Sequence, residues 1–130
     1  MEAYRKPVIS ADALKKIKKF AGANEPIVAA YVFGSCATGR ERPVSDVDIA
    51  IMIRGSIDTF ERVRMETELS NLLGKDADLV IFGSASPLLR HQILKYGHLV
   101  FEANRRERIR QETTARWEYL DSLTLYRVVR

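Results

Sequence analysis

The stretch Ile27-Val28-Ala29-Ala30-Tyr31-Val32-Phe33-Gly34-Ser35, followed ten residues later by Asp46-Val47-Asp48-Ile49-Ala50-Ile51-Met52-Ile53, decides how this chain is read. The first run is apolar, short and stopped by glycine, the pattern of a buried β-strand. The second is led by two acids at alternate positions. Successive strand residues point to opposite faces, so Asp46 and Asp48 share one face. Val47, Ile49, Ile51 and Ile53 share the other, which is expected to be the core face.

Working outward, the chain alternates between strand and helix patterns. A helix is expected after Ser10, ending near Gly22, with Leu14, Ile17 and Phe20 as its buried stripe. Ser56 is read as the N-cap of a long helix closed by Gly74. Residues 77–82 (Ala-Asp-Leu-Val-Ile-Phe) form a third strand pattern. Ser86-Pro87 opens a further helix, with proline at its first position and Gly97 just past its end. His98 to Phe101 gives a fourth short strand, and Asn104 to about Leu125 a last helix. The expected architecture is α/β: a small mixed sheet with helices packed on it, in a single domain over residues 1–130.

Composition narrows the class. Hydrophobic residues make up 46% and charged residues 29% of the 130 residues, an ordinary globular profile. No apolar run is long enough to cross a bilayer, and the first residues lack the apolar core of a signal peptide. One cysteine, Cys36, cannot form an internal disulfide, so a cytoplasmic setting is expected. The net charge of +4 comes partly from two basic clusters, Lys15, Lys16, Lys18, Lys19 and Arg105, Arg106, Arg108, Arg110. Both fall on helix patterns and are read as solvated faces; direct nucleic-acid binding is not expected.

The chemistry is carried by the acids and the Gly-Ser pair. Two carboxylates on one strand face repel, and each resists ionisation while the other is charged. A divalent cation removes that conflict, and magnesium is held by one or two carboxylates together with substrate phosphates. Gly34 lets a phosphate approach the backbone, Ser35 adds a donor, and Arg40 in the same connection can reach a phosphate oxygen. Neighbouring strand ends thus offer a phosphate cradle and a cation site, which a nucleotide triphosphate with magnesium needs together. Asp78 opens the third strand. If that strand lies beside the second, Asp78 completes a carboxylate triad, as a metal ligand or as acceptor of a proton. Asp76 shares its parity but sits next to the Gly74 turn. Gly83-Ser84 is a second Gly-Ser with no Asp-x-Asp at the matching distance. His91 and His98 lie in different elements and are read as surface or packing residues.

These residues resemble the nucleotidyltransferase superfamily of the DNA polymerase beta type, whose signature is Gly-Ser, a spacer, Asp-x-Asp and a later acid. Residues 32–40 and 45–50 look especially like the minimal nucleotidyltransferases of bacteria and archaea. The likeness continues more loosely through residues 79–80, 96–101 and 117–121. It implies a polymerase beta-like fold, with Asp46, Asp48 and Asp78 as catalytic and metal-binding residues, and Gly34, Ser35 and Arg40 on the nucleotide. Some members near this length are antitoxins paired with HEPN-type toxin ribonucleases. For those, the resemblance implies magnesium-dependent transfer of AMP from ATP to a tyrosine of the toxin. A binding module that covers its partner toxin without catalysis is the competing reading. A small-molecule transferase is disfavoured, because no second domain is available to build an acceptor pocket.

Overall fold

The computed structural model describes residues 9–34 and 47–129, with side chains described through residue 125. Four strands, β1 (Ile27–Phe33), β2 (Val47–Ile53), β3 (Ala77–Ile81) and β4 (His98–Glu102), form one sheet in the order β3-β2-β1-β4. β1 runs antiparallel to both β2 and β4, and β2 is parallel to β3. The helices are α1 (Ala11–Ala23), α2 (Thr59–Leu73), α3 (Pro87–Tyr96) and α4 (Arg105–Val129). The parallel pair needs a crossover, and α2 supplies it.

The helices start where the chain offers caps. The Ser10 side chain accepts from the Ala13 N–H, and the Ser86 side chain from the Leu89 N–H with Pro87 behind it. The second helix starts later than its sequence pattern suggests. Its N-cap is Asp58, whose Oδ1 accepts from the Glu61 N–H at 2.8 Å, and Ser56 stays in the preceding loop. Gly55, at φ +77°, turns the chain first, and Asp58 has glutamate at the third helical position, the acidic form of a capping box. Gly74, in the left-handed region, closes the helix. β3 is one residue shorter than expected, because Phe82 opens a 3-10 turn through Ser84 in which the Ala85 N–H returns to the Phe82 carbonyl.

Both faces of the sheet are buried, where the alternation in β2 had pointed to one core face. Ile17 and Phe20 of α1 and Met65 and Leu69 of α2 pack with Val47, Ile49, Ile51 and Leu79 on one face. On the other, Ile93 of α3, Ala115 of α4 and Phe82 cover Tyr31, Ala50 and Met52. Ala50 and Met52 are fully buried, so the strand that carries Asp48 is sandwiched beyond its first residues. Val28 and Ala29 both pack in the second core, because a bulge shifts the β1–β2 register between Ile27 and Ala29.

A polar network ties α4 to the sheet. The buried Tyr31 hydroxyl donates to Glu112, and Arg108 donates to Glu112 at 2.8 Å and to Glu102. Burial and the neighbouring Glu112 carboxylate push the Tyr31 hydroxyl far above its ordinary pKa, so it acts as a donor at every accessible pH. Arg108 is therefore part of the interior, while Arg105, Arg106 and Arg110 of the same cluster are exposed, as are Lys15, Lys18 and Lys19 of the other. Removing the hydroxyl with Tyr31→Phe leaves a buried carboxylate short of one donor. The expected cost is about 1–3 kcal/mol in urea denaturation.

Candidate active site

Two of the three acids can be placed. The parallel register pairs Asp48 of β2 with Asp78 of β3, next to Val47 opposite Ala77 and Ile49 opposite Leu79. Paired residues on neighbouring strands point to the same face, and adjacent strands lie about 4.7–4.9 Å apart. Both carboxylates therefore project from one face, at the N-terminal ends of the parallel pair. It is the face shared with Ala50 and Met52, which α3 and α4 cover further along. Asp48 is partly buried and Asp78 exposed, so the pair sits on the rim of the second core with access to solvent. The start of β2 is held against β3 by the Val47 N–H, which donates to the Asp76 carbonyl at 3.0 Å. Asp76 itself precedes the strand and is exposed.

Gly34 joins this pair. It ends β1, where Phe33 is opposite Asp48, and it adopts φ +73°. A Cβ at Gly34 would lie 2.2 Å from Oδ2 of Asp48 and 3.0 Å from its carboxyl carbon. The carboxylate therefore rests directly on the glycine backbone, an approach that only a residue without a side chain permits. The proximity of Gly34 to an acid was not anticipated by reading it only as a phosphate-approach glycine. The remaining site residues expected from sequence, Ser35, Arg40 and Asp46, lie outside the described residues.

The donor set suits a hard cation. Asp48 and Asp78 offer carboxylate oxygens from two adjacent strand ends, the ligand type that magnesium takes. Among the described residues no three His, Cys, Asp or Glu side chains converge on one metal position. His91 stacks on Tyr119 with ring centroids 3.8 Å apart and is a packing residue. A cavity of about 430 Å³ opens at the opposite end of β2 and β3, beside Ile53, Ile81, Arg90 and Gln111. Neither Asp48 nor Asp78 lines it.

Fold and acids together define the class of small nucleotidyl-transferring enzymes. The chain belongs to the family described as Polymerase beta, Nucleotidyltransferase, whose profile matches residues 15–106. Among its relatives, the protein adenylyltransferase MntA of Shewanella oneidensis is 36% identical over 67 residues, 52% of this chain and 48% of that protein. The match thus spans about half of the relative's length. A chain of a toxin–antitoxin complex crystallised with AMP-PNP superposes with a TM-score of 0.80 at 25% identity, over 89% of this chain and 94% of that one. A chain from the complex of tri-AMPylated Shewanella oneidensis HEPN toxin with MNT antitoxin superposes with a TM-score of 0.74, over 90% and 92%. At 22% identity that likeness speaks for the fold alone. Among the described residues no helix is long and apolar enough to cross a membrane.

Proposed function

We propose that this chain is a magnesium-dependent protein adenylyltransferase of the antitoxin type, a single cytoplasmic domain that transfers AMP from ATP to a tyrosine of a HEPN-type toxin ribonuclease. The observation that carries the reading is the in-register pair Asp48 and Asp78 on one face, with Gly34 against Asp48. The adenylyltransferase relative and the AMP-PNP complex support ATP as the nucleotide, and that toxin–antitoxin complex supports the partner.

The division of labour rests on the positions of Gly34, Asp48 and Asp78 and, for Ser35, Arg40 and Asp46, on the sequence signature. Gly34 lets the triphosphate come close to the backbone at the end of β1. Ser35 and Arg40 donate to its phosphate oxygens. Asp48 of β2, with Asp46 two residues before it in sequence, would hold a magnesium ion, and Asp78 of β3 would share it or accept a proton. When bound, magnesium would neutralise the charge that develops on the phosphates. The attacking tyrosine oxygen forms a bond to the α-phosphorus as the bond to the β-phosphate bridging oxygen breaks. Pyrophosphate leaves, and the tyrosine proton passes to the Asp78 carboxylate. Asp48 and Asp78 lie on the solvent-accessible rim, so a partner protein can present its tyrosine there. The attached phosphate then adds negative charge to the ribonuclease, which repels an RNA backbone.

Mass spectrometry of the co-expressed pair tests this. The partner is expected to gain one or more AMP units, and Asp46→Asn is expected to abolish the gain. A partner that is inhibited but unmodified would reject transfer in favour of neutralisation by binding.

A further inference from the structure

We propose that Glu66 and Ser70 of α2 are positioning residues for Asp78, acting through the backbone of β3. The inference rests on the reading of Asp78 as an acid of the site. Among the described residues β3 is an edge strand, with β2 on one side and no strand on the other. Its outward N–H groups, at Ala77 and Leu79, would ordinarily be left to water. Here helix side chains take the place of the missing strand. The Ala77 N–H donates to Ser70 Oγ at 3.0 Å, and the Leu79 N–H donates to Glu66 Oε2 at 2.8 Å. Arg62 Nη1 completes the line, donating to the Leu79 carbonyl at 3.4 Å and to Glu66 Oε2 at 3.3 Å.

The spacing explains the arrangement. Arg62, Glu66 and Ser70 recur every four residues and so form one row along α2, facing the edge of the strand. The two anchored amides are the immediate neighbours of Asp78 on either side. On the inner side, β2 fixes the strand through the Asp48–Asp78 register. Asp78 is thus held at a defined height relative to Asp48 from both flanks. Edge strands slip most readily where nothing pairs with them. A slip of one residue would carry Asp78 to the opposite face and break the pair. The Arg62–Glu66 ion pair is about one-third exposed on each side and contributes little by itself. The charge-assisted bond from the Leu79 amide to Glu66 is the stronger element.

Shielding an edge from aggregation would use the same bonds, so the test needs a readout that shielding does not move. AMP transfer from labelled ATP to the co-expressed partner is measured for Ser70→Ala, Glu66→Ala and Glu66→Gln, alongside amide exchange at Ala77 and Leu79. For the two alanine variants we expect kcat to fall about ten- to a hundredfold, the cost of a misplaced catalytic group, with KM for ATP unchanged. Exchange should accelerate at the amide that lost its acceptor. Glu66→Gln keeps an acceptor oxygen for the Leu79 N–H and should retain most of kcat. If Glu66→Ala fails to fold, Ser70→Ala and Glu66→Gln carry the same comparison. Faster exchange with unchanged kcat overturns the proposal and leaves edge protection alone. Loss in Glu66→Gln equal to that in Glu66→Ala also overturns it, because the charge and not the acceptor would then matter. Full activity in Asp78→Asn overturns the underlying role of Asp78, a result separable from the exchange data.

Discussion

Asp48→Asn is expected to lower AMP transfer about a thousandfold or more while the chain stays folded. The amide keeps the shape of the carboxylate but removes the negative charge that a divalent cation requires. Losing about 4 kcal/mol of transition-state stabilisation corresponds to about a thousandfold in rate. The core should not register the change, because Asp48 lies at the rim and the buried residues of β2 that follow it are untouched. A melting curve beside the AMP-incorporation assay separates the two effects. Wild-type activity in this variant would remove the carboxylate mechanism.

Gly34→Ala is expected to be nearly as damaging, for a geometric reason. Two penalties fall on it together. An alanine at φ +73° costs about 1–2 kcal/mol in backbone strain. The new Cβ would also stand 2.2 Å from Oδ2 of Asp48, so the carboxylate must move. Displacing a catalytic group by about 1 Å can cost about a hundredfold. Gly74→Ala separates these terms, because Gly74 has φ +71° with nothing within 4 Å of its would-be Cβ. That variant should lose comparable stability in urea denaturation and keep its transfer rate. In an Asp48→Asn background the part of the Gly34→Ala loss that acts through the carboxylate should disappear, leaving only what the glycine contributes to triphosphate approach. Additive losses would show that Gly34 acts on something other than Asp48.

The pattern of Glu66 and Ser70 illustrates a more general limit on reading sites. Arg62, Glu66 and Ser70 look like an ordinary polar helix face, and helix periodicity cannot distinguish a row facing water from one facing a strand edge. Only the position of β3 at the sheet edge gives these side chains backbone donors to accept from. Arg108 teaches the same lesson in reverse. In sequence it belongs to a basic run, whereas in the fold its largely buried side chain reaches from the last helix to both Glu102 and Glu112.

The sequence by itself determined the α/β alternation, the four strands and helices to within a few residues, and the side of β2 on which Asp48 stands. These are local properties: a period of two or of 3.6, a serine or proline at a helix start, a glycine at a helix end. Helix onset was misplaced at Ser56, because the chain turns at Gly55 and the helix is capped by Asp58. Tertiary structure alone decided that β3 lies parallel to β2 with Asp78 opposite Asp48, that Gly34 supports the Asp48 carboxylate, and that both sheet faces are buried. Strand order and register depend on which elements far apart in the chain pack together, and periodicity within one strand carries no information about its neighbour.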